Sequence, residues 1–151
     1  MQKKCDLYLC TPVEASRLKV LRLFDKNFSE EGNSMLAGYL LVSISRVKLV
    51  ALVSAFRKEK ILCFSVPVEY RNCSVSLDAA FEIAKRYIGP DGVLSMRDQA
   101  HCPPLFWSFG LISVGSKEKK AGGTLMVDRL DGHIWSLEEY EEYMYDYNNV
   151  F

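Results

Sequence analysis

The chain has 151 residues, of which 49% are apolar and 12% aromatic, and this is enough to bury the core of one domain. Its 19 basic and 19 acidic residues cancel, which excludes an overall field drawing the protein to nucleic acid or to a membrane. Five cysteines without regular spacing do not make a disulfide framework. No apolar stretch is long enough to cross a bilayer. We therefore expect a folded, cytoplasmic protein.

Capping signals predict three helices. Thr11-Pro12-Val13-Glu14 combines an N-cap, a proline at the first helical position and a capping-box glutamate. The second helix is predicted to begin near Ser76 and to end at Gly89-Pro90. The third is predicted to begin at Ser136, with Glu139 completing a second capping box. Its predicted apolar stripe is Leu137, Tyr140, Met144 and Tyr147. The apolar face predicted for the first helix is Leu18, Leu21, Phe24 and Phe28, and its predicted end is Gly32-Asn33.

Segments rich in Val, Leu, Ile and Phe predict the strands. Leu36–Ser45, Lys48–Phe56 and Lys60–Val68 are separated by short charged turns, and this pattern favours an antiparallel meander. Helix stays open as an alternative for residues 36–56, because a short apolar run does not separate the two by its period. Leu105–Val114 and Thr124–Leu130 are predicted to be neighbouring strands joined by a lysine-rich turn at residues 115–123.

The segment after the last predicted strand carries a hairpin signal. Asp131-Gly132 favours a tight turn, because glycine tolerates a positive φ, and residues 133–135 would then pair back. Residues 89–104 are predicted to form an irregular connection. The expected fold is α+β: an antiparallel sheet with three helices, and a C-terminal β-hairpin followed by an acidic helix. We expect a single domain over residues 1–151, or two halves, 1–73 and 74–151, that share one core.

No pattern of catalytic, metal-binding or cofactor-binding residues is evident. His101 and Cys102 are adjacent, but sequence neighbours in extended backbone point to opposite sides, so they do not form a nucleophile and its base. The cysteines include no Cys-x-x-Cys pair, and the two histidines are far apart in the sequence. The glycines form no phosphate-binding loop. We therefore expect neither a metal nor a cofactor.

The predicted last helix is strongly acidic. Residues 136–146 contain five carboxylates and no Lys or Arg. One interpretation is a solvated helix start that the helix dipole favours. The other is a surface for a basic protein partner, because tyrosine is enriched at interfaces and Tyr143 and Tyr145 are expected to be partly exposed. The predicted surface comprises Glu138, Glu139, Glu141, Glu142, Tyr143, Tyr145 and Asp146, with Asp128 and Asp131 as neighbours.

The same region resembles the YrhB-like immunity proteins of bacterial polymorphic toxin systems. The resemblance covers about residues 76–147, and it rests on a strand-and-turn motif followed by a Leu-Glu-Glu-Tyr helix. It implies a small α+β domain that binds and neutralises a cognate toxin and has no active site of its own. The matching residues are Val127, Asp128, Asp131, Gly132, Leu137, Glu138, Glu139 and Tyr140.

We therefore expect an immunity protein that binds a toxin or secreted effector stoichiometrically, with no nucleic-acid or membrane partner. An alternative is a small-ligand-binding protein or cysteine hydrolase that uses His101 and Cys102, with Trp107 and Trp135 lining the site. A third hypothesis is a chaperone or adaptor for a secreted effector. A homodimer is a further expectation, because the edge of the predicted 36–68 meander can pair with a second copy.

Overall fold

A computed structural model describes residues 3–23, 35–90, 92–113 and 123–150. Over these residues the fold is mixed α+β, with two three-stranded antiparallel sheets. The chain divides into two compact units. The first unit comprises residues 1–68 and 140–151, and the second comprises residues 69–139. The C-terminal segment therefore belongs with the N-terminal residues, a division that no feature of the sequence signals.

The first unit is built on a sheet whose central strand comes first in the sequence. The strand order is β2-β1-β3, and β1 pairs antiparallel with both neighbours. A 3₁₀ helix, Ala15–Leu23, follows β1. The core includes Leu7, Leu49 and Val53, which are fully buried. The elements are β1 (Lys4–Glu14), β2 (Met35–Ser45), α1 (Arg46–Lys58) and β3 (Cys63–Pro67).

The helix start predicted at Thr11 is wrong, because residues 11–14 continue β1 and helical backbone begins at Ala15, in a 3₁₀ helix. The predicted burial of Leu18 and Leu21 is confirmed. Inward residues such as Cys5 and Leu9 are buried along this strand, and two-sided pairing overrides the local capping signal. Pro12, which lacks an N–H, lies between Leu9 and Val13, where the pairing with β2 is irregular. Phe24, Phe28 and the predicted end at Gly32-Asn33 lie outside the described residues.

The strand predicted at Lys48–Phe56 is also wrong, and with it the meander. These residues form α1, the alternative that the sequence left open, while residues 35–45 are strand as expected. The buried side chains of α1 follow helical spacing, and they pack in the core of the first unit. Arg57 and Lys58 in the last turn complement the helix dipole. The buried residues of α1 are Leu49, Leu52, Val53 and Phe56.

The second unit has its own sheet, of strand order β4-β5-β6. Its core comprises Phe109, Leu125, Val127, Ala80 and Ala84, with further apolar side chains packed around it. A second 3₁₀ helix, Val68–Asn72, begins at the boundary of the two units. The remaining elements are α2 (Leu77–Ile88), β4 (Gly92–Met96), β5 (Phe106–Ser113), β6 (Gly123–Asp128) and α3 (Leu137–Asn148).

Capping signals in the sequence predicted the second unit more accurately than the first. Ser76 Oγ accepts a hydrogen bond from the Ala79 N–H at 3.1 Å, so the predicted cap of α2 is confirmed. Gly89 ends α2 with φ of 77°, as the Gly-Pro signal indicated. β4 was missed, because it lies in the connection predicted to be irregular at 89–104. The lysine-rich turn falls on residues 114–122, outside the described ranges.

Five helical segments and six strands are described, so the expectation of three helices is not matched in detail. In the described part of the chain, no helix is both long and apolar enough to cross a membrane. All five cysteines are free thiols.

Candidate functional site

The turn after β6 is a four-residue loop, Arg129–Gly132, and not the predicted two-residue turn. The Asp128 N–H donates to His133 O at 2.8 Å, and the Gly132 N–H donates to Asp128 O at 3.0 Å. The returning chain makes one bridge, between Val127 and Ile134, and no second strand. The predicted C-terminal hairpin is therefore wrong in detail. Gly132 is required here, because its φ is +80° and a Cβ atom would lie 3.0 Å from the Ile83 side chain.

Asp128 is the anchor of this loop. It is 1% exposed, and its Oδ1 accepts the backbone N–H groups of Leu130 at 2.7 Å and Asp131 at 3.2 Å. Its Oδ2 accepts the Tyr70 hydroxyl at 2.6 Å and the Trp135 indole N–H at 2.8 Å. Four donors occupy the lone pairs of one carboxylate. Asp128 is therefore buried and engaged, and we do not include it in a contact surface.

His133 joins two exposed carboxylates. Its Nδ1 lies 2.6 Å from Asp131 Oδ1, and its Nε2 lies 2.7 Å from Glu139 Oε2. Both contacts are hydrogen bonds only when both ring nitrogens carry protons, so the geometry favours the imidazolium. Burial alone would lower the pKa of His133, but the bonds to Glu139 and Asp131 and the charge of Asp128 outweigh it and raise that pKa.

Asp128, Asp131 and His133 place three potential metal-ligand atoms within 4.8 Å of one another. The hydrogen bonds of the cluster account for this proximity, because both His133 nitrogens face carboxylates and both Asp128 oxygens already accept donors. A metal ion would have to displace those donors. The cluster is therefore interpreted as a hydrogen-bonded link between the loop and the start of α3.

The start of α3 carries the predicted capping box. Ser136 Oγ accepts the Glu139 N–H at 3.1 Å, and Glu139 Oε1 accepts the Ser136 N–H at 3.1 Å, which confirms the prediction. Burial raises the pKa of Glu139, but the bonds from Ser136 and His133 outweigh it, and the net shift is downward. The backbone N–H of His133, assisted by its ring, lowers the pKa of Asp131.

In the first unit, the inward side of α3 binds the backbone of β3. Tyr143 donates its hydroxyl to Ser65 O at 2.8 Å, and the Ser65 N–H donates to Asn148 Oδ1 at 2.7 Å. Tyr143 is 4% exposed and Asn148 is fully buried. The expectation that Tyr143 is partly exposed is therefore wrong, because its ring and hydroxyl hold the helix in place. Burial raises the pKa of Tyr143 well above its usual range.

Arg46, at the start of α1, holds the other end of this helix. Its Nη1 donates to Asp146 O at 2.6 Å, and its guanidinium lies 5.5 Å from the centroid of the Tyr147 ring. A cation beside the last carbonyls of a helix is favourable, because the dipole is negative there. Asp146 is half-buried, so its carbonyl has a structural role that the sequence did not indicate.

The apolar stripe predicted for α3 does not form its buried face. Leu137 of that stripe is 67% exposed, while Tyr143 and Asn148 are buried instead. Beside these buried residues, α3 exposes Tyr145, which is 53% exposed, together with Glu141 and Glu142. A groove of about 360 Å³ lies on this part of the helix, and we call it the outward groove. It adjoins Asn148, whose Nδ2 donates to the Met144 sulfur at 3.9 Å. Its lining residues are Tyr140, Glu141, Met144, Tyr145 and Val150.

The charge on this side is uncompensated. Neither Glu141 nor Glu142 forms an ion pair with the residues that the structure describes. Residues 134–151 contain no Lys or Arg in the sequence. Among the other predicted contact residues, Glu138 is exposed at the helix start, whereas Glu139 and Asp131 bind His133.

His101 and Cys102 do not converge. His101 Nδ1 lies 3.3 Å from Asp98 Oδ2, while the Cys102 thiol is directed at Asp98 O at 3.6 Å. Burial, and then the charge of Asp98, raise the pKa of Cys102, which disfavours the reactive thiolate. The indole N–H groups of the two tryptophans have separate partners: that of Trp107 donates to Val75 O, and that of Trp135 to Asp128. These contacts do not favour a hydrolase site.

Comparisons with protein-family models, with curated proteins and with solved structures found no match for this chain.

Proposed function

We propose that this protein acts by binding a protein partner with a basic surface, as an immunity protein that neutralises a bacterial toxin or effector. The observation that carries the proposal is the outward side of α3, where Glu141 and Glu142 are exposed beside Tyr145 and the outward groove. Tyr143 and Asn148 hold the helix on β3, and Glu141 and Glu142 take no part in these hydrogen bonds.

The chemistry of this surface suits association. Uncompensated carboxylates accelerate encounter with a basic partner, and rim charges act mainly on the association rate. A tyrosine beside an apolar groove can provide the buried centre that dominates binding energy. Catalysis is not part of the proposal, because the thiol of Cys102 is not paired with a base and the acceptor sites of Asp128 are occupied.

The test uses a double charge reversal, Glu141→Lys with Glu142→Lys. We expect normal folding, loss of protection in a cell that expresses the cognate toxin, to be sought in the reading frames adjacent to this one, and an association rate lowered at least about tenfold at low salt. Glu82→Lys is the matched control, because Glu82 is an exposed helical carboxylate of the second unit.

Unchanged protection by the double variant would show that this surface is not the contact face. Binding of the wild-type protein to the toxin that leaves the toxin fully active would instead indicate a chaperone or adaptor.

A further inference from the structure

The outward groove has the composition of a pocket for one side chain. Tyr140, Met144, Tyr145 and Val150 supply apolar surface, and Glu141 supplies the one ionisable carboxylate among the lining residues. Its volume of about 360 Å³ lies near the lower end of the range for small-molecule pockets, about 300–1,000 Å³. That space admits one large aromatic or aliphatic side chain. A folded domain or an extended ligand would have to rest outside it.

The negative charge at the groove favours particular residues next to the inserted side chain. Glu141 lies in the wall, and Glu142 is exposed at the next position of the helix. A segment that inserted an apolar side chain here would place a flanking residue beside Glu141. Lys or Arg would be attracted, whereas Asp or Glu would meet like charge.

We infer that the outward groove binds a single apolar side chain of a partner segment that carries Lys or Arg beside it. This inference rests on the proposed function, and it specifies which chemistry the partner presents. Met144 is suited to the role, because its flexible thioether adapts to differently shaped side chains. The groove is also preformed: Tyr143, Asn148 and Arg46 hold the helix in place, which lowers the cost of ordering on binding.

The experiment uses short peptides as probes and methionine methyl groups as reporters. The protein contains five methionines, and labelling their methyl carbons gives one signal each in a two-dimensional NMR spectrum. Met144→Leu assigns the groove signal. Met35 and Met96 are 56% and 57% exposed, so they report nonspecific contact. The probes are acetyl-Lys-Lys-Phe-Lys-Lys-amide, its Phe-to-Ala analogue and its analogue with four glutamates.

The Phe–Lys peptide should shift the Met144 signal saturably and leave those of Met35 and Met96 in place. Its alanine analogue should bind about tenfold more weakly, because the anchor is lost, and the glutamate analogue should bind more weakly still. Tyr145→Ala should weaken binding severalfold. Tyr87→Ala is the matched control, since Tyr87 is a 65% exposed tyrosine on α2.

An unmoved Met144 signal, or equal binding of the phenylalanine and alanine peptides, would overturn the inference. Failure of the groove and failure of the proposed function are distinguishable. If the peptides do not bind but the Glu141 and Glu142 reversal abolishes protection, the partner is held by charge alone. If the peptides bind but protection is unaffected by the reversal, the groove stands and the proposal that this surface contacts the toxin is wrong.

Discussion

Two sets of carboxylates lie near each other in the sequence and have opposite roles. Asp128, in the second unit, is buried and accepts four hydrogen bonds, so its charge is used to hold the loop that leads to α3. Glu141 and Glu142, in the first unit, are exposed and form no ion pair within the described residues. An acidic stretch of sequence therefore does not form a single binding surface. Only the carboxylates that accept no hydrogen bond from within the protein remain available to bind a partner.

The largest effect on stability is expected from removal of the buried, hydrogen-bonded carboxylate of Asp128. Asp128→Ala leaves the Tyr70 hydroxyl and the Trp135 N–H without their acceptor, and we expect the free energy of unfolding to fall by about 3–5 kcal/mol. Urea unfolding followed by tryptophan fluorescence measures it. Asp131→Ala is the control in the same loop, with an expected loss below about 1 kcal/mol. Equal losses in both variants would contradict the anchoring role of Asp128.

A smaller effect is expected where α3 binds β3. Tyr143→Phe keeps the buried ring but leaves Ser65 O without the hydroxyl donor, and this should cost about 1–2 kcal/mol. Chemical denaturation followed by circular dichroism measures the change. Tyr145→Phe is the matched control, because Tyr145 is 53% exposed, and it should alter stability by less than about 0.5 kcal/mol. A reversed ranking would show that the inward and outward sides of α3 have been exchanged.

The His133 cluster predicts a modest dependence of stability on pH. Its folded pKa is raised above the ordinary value of 6.5, so its contribution is complete below about pH 6.5 and is lost as pH rises through the folded pKa. The pKa values of Asp131 and Glu139 are lowered, so their contribution is complete above about pH 4.5 and is lost as pH falls. The cluster should therefore stabilise most between about pH 4.5 and 6.5.

Because His133 and both carboxylates are substantially exposed, the expected gain is about 0.5 kcal/mol. Urea unfolding across pH 4–9 measures it for the wild-type protein and for His133→Gln, which cannot gain the charge. A His133→Gln profile that parallels the wild type above pH 6 would show that His133 is not the titrating group.

The smallest effect on stability is expected from substitution of the exposed carboxylates of Glu141 and Glu142. Glu141→Lys with Glu142→Lys should change the free energy of unfolding by less than about 0.5 kcal/mol, because neither side chain has an ionic partner among the described residues. Thermal unfolding measures this. A loss near that of Asp128→Ala would remove the distinction between engaged and unengaged carboxylates, and with it the case for the outward side of α3.

The parts of the fold that depend on local signals could be predicted. Ser76, Gly89 and the Ser136–Glu139 pair act through neighbours within four residues, so their signals are visible in the sequence. The helix start predicted from Thr11-Pro12 was wrong, because β1 pairs with residues 35–45 and 63–67. Such distant partners override a local capping signal. The strand predicted at residues 48–56 was wrong, because over a short window the apolar residues fit the period of a strand as well as that of a helix.

The candidate site was predictable only in outline. The acidity of α3 is evident in the sequence, but which side faces outward depends on Ser65, whose backbone groups select Tyr143 and Asn148 as partners. Met144 and Tyr140 were assigned to a buried stripe, and Val150 carried no signal of its own. Tyr143 and Asn148 are five positions apart, which is not the three- or four-residue spacing of one helical face, so the sequence did not indicate this pair.

The placement of residues 140–151 in the first unit has a consequence for synthesis of the chain. The second unit is continuous and can fold as soon as residue 139 has left the ribosome, whereas the backbone of Ser65 must wait for Tyr143 and Asn148. Folding of the N-terminal residues is therefore completed last. During that interval β3 lacks its hydrogen bonds with α3, and a ribosome that pauses before residue 140 would prolong the exposure of the Ser65 backbone.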